Sequence, residues 1–254
     1  MKNKNVLISG GLGFLGSHFC KILLKNNFNV ILIDKRSPKT PSDKSIVSQS
    51  LKFHKVDITN ENQIKKMYMN LKKNKIFIDV LINNAAIDSI PKSKQKNSHL
   101  PNISDWNKEL SVSLTGSYLL IKYFGQDMAK NKEGKIINIG SDLSVIAPNQ
   151  NLYSDYKNFF KPVTYSVVKH GLLGITKYFA SLYSKDNVQV NMISPGPVYN
   201  QQKKRFVRKL KKFIPMNRLS KLSDLEEPLL FLVNERNSYF TGQNLIVDGG
   251  RTII

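Results

Sequence analysis

Val6-Leu7-Ile8-Ser9-Gly10-Gly11-Leu12-Gly13-Phe14-Leu15-Gly16 reads as a short apolar strand, a glycine-rich turn and the opening of a helix. Val6 to Ser9 is bounded by glycine, and from Phe14 to Asn26 the apolar residues recur at helical spacing. Gly11, Gly13 and Gly16 satisfy G-x-G-x-x-G in the strand-turn-helix context that gives this motif its meaning. Glycines allow a tight turn and close approach of the main chain to a pyrophosphate. That group then rests on a helix N-terminus, where N–H groups are unpaired and the dipole is positive. The stretch predicts the first β-α unit of a dinucleotide-binding fold, with Gly10, Gly13, Phe14, Leu15 and Gly16 against the cofactor.

Downstream the same alternation repeats. Strands are expected at 6–9, 30–34, 51–56, 80–83, 136–139, 188–193 and 245–247, and helices at about 14–26, 60–73, 104–130, 163–184 and 224–233. The strands are near-continuous apolar runs, as in a sheet buried on both faces, and their alternation with helices makes that sheet parallel. The expected class is α/β: a doubly wound, Rossmann-type parallel sheet with helices on both faces and ligands beyond the carboxyl ends of the strands. Segments 35–50, 87–103 and 142–162 fit neither pattern and read as irregular loops. No linker, repeat or low-complexity tract divides the 254 residues, so one domain over 1–254 is expected.

The formal net charge is +21, but the lysines are scattered along the chain. The densest group, Lys203 to Phe213, carries apolar residues at 206, 207, 210 and 213; this is an amphipathic helix with a solvated basic face rather than a nucleic-acid site. No apolar run approaches membrane-spanning length, no signal-peptide pattern opens the chain, and a single cysteine, Cys20, falls in an apolar helical stretch as a core residue. A cytoplasmic protein without a membrane partner is expected. His18, His54, His99 and His170 have no metal-ligand spacing, so no metal is expected, and Trp106 reads as an anchor of its helix in the core.

Asp34 closes the second strand at the distance from the glycines where a carboxylate accepts hydrogen bonds from the adenosine ribose and repels a 2′-phosphate. NAD is therefore preferred, while Lys35 and Arg36 keep NADP as an alternative. Asp57, followed by Ile58 after the third strand, is positioned for the adenine amino group or, alternatively, for capping the helix that begins near Asn60. Tyr165 and Lys169 lie four residues apart on a predicted helix, so the ammonium stands beside the phenol and favours the phenolate. Ser141 ends the strand that runs through 136–139.

Together, the glycine turn, Asn83-Asn84-Ala85-Ala86, Ser141, Tyr165 with Lys169, Ser194-Pro195-Gly196 and Val247-Asp248-Gly249-Gly250 occur in an order that resembles the classical short-chain dehydrogenase/reductases over essentially the whole chain. The resemblance implies an NAD(P)-dependent oxidoreductase acting on a small molecule, with Tyr165 as general acid/base, Lys169 tuning it and holding the nicotinamide ribose, and Ser141 polarising the substrate oxygen. It implies cofactor contacts from Asn83, Ala85, Pro195, Gly196 and Val198, and a homodimer or homotetramer through the long helices.

The pattern departs from the family in three places. Phe14 stands where a glycine is common, and Gly10, Gly13 and Gly16 match the spacing of extended members. Ser113 takes the place of the fourth catalytic residue, an asparagine that holds a water in the proton relay. The 142–162 segment is long; its Asn149, Asn151, Tyr153, Asp155, Tyr156, Lys157 and Phe160 suit a sugar-like substrate or an ordinary surface loop. Residues 160–170 resemble a branch associated with surface-polysaccharide and flagellin-sugar modification. Alternative readings are a 3-oxoacyl-(acyl-carrier-protein) reductase, its carrier docked by the basic helix, and a catalytically weakened cofactor-binding regulatory protein.

Overall fold

The computed structural model describes residues 4–87, 100–156 and 159–254. The expectations for His99, Lys157 and most of the 87–103 segment lie outside these residues. Seven strands form one sheet: β1 (Asn5–Ser9), β2 (Asn29–Asp34), β3 (Lys52–Lys55), β4 (Val80–Asn83), β5 (Gly134–Ile139), β6 (Val188–Pro195) and β7 (Asn244–Val247). All pairings are parallel, in the order β3-β2-β1-β4-β5-β6-β7. The chain winds outward from β1 to β3, then returns to β4 and winds the other way, so the switch point lies between β1 and β4. Their carboxyl ends open the crevice where such folds bind ligands.

Both faces of the sheet are covered, which explains the apolar runs. In β1, Leu7 packs into one core with Ile31, Leu81 and Ile136; its neighbours Val6 and Ile8 pack into the opposite core with Val30, Leu32 and Ile82. The first core is closed by α3 (Glu61–Lys73), by a helical stretch over 103–131 and by α7 (Val163–Tyr183). The second is closed by α1 (Phe14–Lys25), α2 (Pro41–Gln49) and α9 (Glu226–Val233), with Cys20 fully buried among them. Burial in this apolar setting pushes the Cys20 thiol up to about 12.

Two expectations are corrected and a third is refined. The 35–50 segment is not a loop throughout: α2 occupies most of it. Only Asp43 and Ile46 of α2 are buried, so apolar periodicity gives it no signal; it is nucleated instead by a reciprocal cap, in which Asp43 N–H donates to Thr40 Oγ1 and Thr40 N–H to Asp43, with Pro41 as first residue. The helix expected at 104–130 is present as one continuous run, in which α4 (Ile103–Leu110), α5 (Gly116–Leu120) and α6 (Gln126–Asn131) are joined by π turns at Ser111–Thr115 and Ile121–Gly125. Trp106 is only partly buried and, among the described residues, belongs to none of the apolar clusters; α4 buries Glu109 instead.

Helix α8 (Lys204–Lys211) is amphipathic as expected. Phe206 and Leu210 are buried against Leu152, Tyr156 and Phe159 in a third cluster that caps the substrate end of the crevice. Among the described residues no helix is long and apolar enough to cross a membrane, and no group of three metal-ligating side chains is assembled.

Candidate active site

A cavity of about 580 Å³ runs across the carboxyl ends of the central strands. At its first end the chain leaves β1 and turns on glycines. Gly10 adopts φ +62°, and a Cβ there would lie 2.8 Å from Ala85 Cα; a Cβ on Gly16 would lie 2.1 Å from the Gly10 carbonyl oxygen. Asn84 secures this turn by donating from Nδ2 to the carbonyls of Ser9 and Gly10, each at 3.0 Å. Gly13 caps α1 without a side chain, and the first turn holds no acidic residue, so the positive end of the helix faces the cavity through Gly13, Phe14 and Leu15.

Asp34 ends β2 beside this turn. Its carboxylate accepts from Leu12 N–H at 3.1 Å and Arg36 N–H at 3.0 Å, which fixes it at the cavity wall. Arg36 is committed elsewhere. Its guanidinium forms a fork to Asp43 at 2.7 and 3.2 Å and also bonds the Leu12 carbonyl. This pairing raises Arg36 and holds the Asp43 carboxyl well below the usual carboxylate range, helped by N–H groups of Thr40 and Lys39. Asp57 and Ile58 also line this end. Asp57 closes a turn on Thr59, while the cap of α3 is Asn60, whose Oδ1 accepts from Gln63 N–H at 3.1 Å.

At the other end, Ser141 follows β5, and its Oγ donates to Asp142 Oδ1 at 2.8 Å. Asp142 is itself buried and ion-paired with the buried Arg251 near the C-terminus. Helix α7 supplies Tyr165 and Lys169 from one face. Lys169 is buried, donates to the Ile139 carbonyl at 2.9 Å, and stands 5.7 Å from the Tyr165 ring centre. A second cation, Lys161, lies 3.7 Å over the same ring. Pro195, Gly196 and Val198 complete the wall after β6.

The structure thus brings Ser141, Tyr165 and Lys169 to one end of the cavity that Gly10, Gly13, Phe14, Leu15, Asp34, Asp57, Ile58 and Ala85 line at the other. Gly16, Asn83 and Ser113 stand behind the lining. Gly16 allows α1 to close on the turn, and Asn83 Nδ2 bonds Asn138 Oδ1 at 2.8 Å between β4 and β5, leaving Asn84 and Ala85 at the surface. Ser113 is buried in the first π turn, its Oγ without a hydrogen-bond partner among the described residues. In the 142–162 segment Tyr153 lines the cavity with Leu152, but Tyr156 is buried in the third cluster and Asp155 pairs with Arg205 and Lys209. Sequence reasoning passed over Lys161 and the Asp142–Arg251 pair; neither carries a spacing signal, although Lys161 directly precedes the Pro162 that opens α7.

The glycine cradle, the open α1 N-terminus and the anchored Asp34 fit a dinucleotide: a small-residue floor for the pyrophosphate and an acceptor for ribose hydroxyls. Comparison with known proteins agrees. The family model described as enoyl-(acyl carrier protein) reductase matches residues 14–252. The chain is 30% identical to an NAD-dependent glycerol dehydrogenase of Listeria innocua, over 99% of this chain and 94% of that protein. It is 33% identical to a 3-oxoacyl-(acyl-carrier-protein) reductase of Buchnera aphidicola, over 97% and 96%. A short-chain dehydrogenase of Leptospira borgpetersenii, solved with bound NAD+, superposes with a TM-score of 0.86 at 29% identity, covering 99% of this chain and 94% of that one. Matched in motif order, strand order and nearly full length, the chain belongs to the classical short-chain dehydrogenase/reductase family, oxidoreductases that act on alcohol and ketone groups.

Proposed function

We propose that the protein is an NAD-dependent oxidoreductase that interconverts an alcohol and a ketone on a small polyhydroxylated, sugar-derived substrate. The observation that carries this reading is the convergence of Ser141, Tyr165 and Lys169 at one end of a single cavity whose other end holds the glycine turn and Asp34. Tyr165 exchanges a proton with the substrate oxygen. Lys169, held by the Ile139 carbonyl, favours the phenolate and reaches toward the nicotinamide ribose. Ser141 polarises the substrate oxygen after its hydroxyl rotates from Asp142, a low-cost motion for a hydroxyl rotor. The nicotinamide, when bound, supplies or accepts the hydride.

Cofactor choice follows from Asp34 and Arg36. Asp34 is oriented for ribose hydroxyls and repels a 2′-phosphate; Arg36, which would welcome that phosphate, is gripped by Asp43. Both features favour NAD, and NADP use requires Arg36 to release Asp43. Asp57, Ile58, Ala85, Pro195, Gly196 and Val198 serve as cofactor contacts, and Ser113 serves the proton path from behind the site. The glycerol dehydrogenase relative and the 160–170 stretch, which resembles the sugar-modification branch, both support a polyol-like substrate. Exposed Tyr118, Tyr178 and Leu182 on α5 and α7 support assembly of copies into a homodimer or homotetramer.

A second reading has its own support: the exposed basic face of α8 flanks the cavity through Phe206 and Leu210, as docking of an acidic carrier protein requires. NADH consumption with a panel of three- to six-carbon ketoses and with 3-oxoacyl thioesters separates the two. Turnover confined to ketoses is the expected result. Turnover confined to thioesters, suppressed by salt, transfers the assignment to the second reading.

A further inference from the structure

Asp142 and Arg251 line the reacting end of the cavity as a buried ion pair, yet the roles assigned above give neither a task beyond accepting the Ser141 hydroxyl. Arg251 arrives from the short turn Arg251–Ile253 that follows β7. Asp248 shapes that turn by accepting from Gly250 N–H at 2.9 Å and from Thr252 N–H at 2.7 Å, and the Gly249 carbonyl accepts from Met216 N–H at 3.1 Å. The guanidinium is therefore delivered to Asp142 by a fixed main chain near the C-terminus.

The main chain of Ser141 is fixed as well. Its N–H donates to Ser144 Oγ at 3.1 Å, and its carbonyl accepts from Ser144 N–H at 2.8 Å, which leaves the side chain as its free variable. Ser141 Oγ accepts from Leu143 N–H at 3.2 Å and donates to Asp142 Oδ1 at 2.8 Å, while Asp142 Oδ2 faces Arg251. A hydroxyl bonds a bare carboxylate about twice as strongly as a neutral acceptor, so Asp142 without its cation would keep the proton that the substrate oxygen needs. A rotor with no carboxylate beside it would lose its fixed resting direction. Stability gives no reason for the pair, because a buried ion pair is seldom better than an apolar one of the same volume.

Resting on the oxidoreductase reading and its role for Ser141, we infer that Asp142 and Arg251 are positioning residues of the reaction. Asp142 fixes the Ser141 hydroxyl between turnovers, and Arg251 offsets the carboxylate's charge so that the hydroxyl can turn to the substrate oxygen as negative charge develops there. The turn after β7 is thereby part of the reacting end, although it touches neither the transferred proton nor the hydride.

A double-mutant cycle tests whether the pair acts through Ser141. NADH-dependent reduction is measured with the ketoses and 3-oxoacyl thioesters named above, and the compound that wild type reduces fastest serves for every variant. Ser141→Ala is expected to lower kcat about a hundredfold. Asp142→Ala with Arg251→Met, which leaves no unpaired charge, is expected to lower kcat about tenfold while KM and NADH affinity stay within about twofold. Arg251→Lys, which keeps the cation, is expected to retain kcat within about threefold of wild type. In the Ser141→Ala background the paired substitution is expected to change kcat by less than about twofold, since the hydroxyl it positions is already gone. Melting temperatures report the fold of each variant; if the Ala/Met pair does not fold, Asp142→Asn with Arg251→Gln carries the same cycle. Wild-type kcat without the pair, a loss confined to KM, or an equal loss with and without the Ser141 hydroxyl overturns the inference. Undiminished turnover in Ser141→Ala, or a wild type that reduces none of the compounds, is a different outcome: it defeats the reading on which the inference rests, and the inference falls with it.

Discussion

In the proposed reading, the partner of Arg36 sets the cofactor preference. Its guanidinium is spent on Asp43, and Asp43 is in turn held by the N–H groups of Lys39 and Thr40. Asp43→Asn is expected to loosen Arg36 and raise kcat/KM with NADPH by about tenfold, narrowing the NAD preference, as steady-state kinetics with both cofactors will show. The same pair gives a pH signature. The folded-state pKa of Asp43 lies below its unfolded value of about 3.9, so its contribution to stability is complete above roughly pH 5 and fades as pH falls through the folded value. Urea denaturation of wild type and Asp43→Asn should therefore differ by a constant amount from pH 5 to 7 and converge toward pH 2. Gly16 provides a steric counterpart. Gly16→Ala forces a Cβ against the Gly10 carbonyl, and a loss of about 1–3 kcal/mol in stability together with weakened NADH binding is expected from denaturation and fluorescence titration.

Among the elements, those with a buried apolar pattern were legible in the sequence and those without one were not. Five of the expected helices and all seven strands rest on residues such as Leu7, Ile31, Phe19 and Phe179 that fill the two cores. Helix α2 was missed because its stability comes from a cap and an ion pair; the Thr40-Pro41-Ser42-Asp43 signature was present but outweighed by a polar composition. The π turns of the 103–131 stretch leave no compositional mark, and one of them carries Ser113. The catalytic candidates Tyr165 and Lys169 were legible from helical spacing, but Lys161 was not, since its approach to the ring depends on Gln150 holding the loop before α7. Ser113→Ala removes a hydroxyl with no partner among the described residues, so stability should change by less than about 1 kcal/mol, while kcat is expected to fall about tenfold if that hydroxyl serves the proton path. Calorimetry and turnover on the same preparation distinguish the two effects.

At the scale of the whole molecule, the parallel order β3-β2-β1-β4-β5-β6-β7 opens one crevice, and every proposed function-bearing group lies along it or directly behind it. Helices α5 and α7 expose Tyr118, Tyr178 and Leu182 beside the buried Phe179. Single rings at a surface are ordinary, but three apolar side chains on two adjoining helices suit a self-complementary interface. Tyr178→Asp is expected to shift the protein from an oligomer to a monomer in light scattering, with cofactor binding retained.

In the proposed reaction Tyr165 carries the proton while the rest of the cavity holds the cofactor. Single-turnover hydride transfer from NADH to a ketose, measured for wild type and Tyr165→Phe alongside NADH affinity in the same samples, tests it most directly. The expected result is a fall in the transfer rate of about 10²- to 10⁴-fold with NADH affinity within about twofold of wild type. Transfer at the wild-type rate in Tyr165→Phe would contradict the assignment.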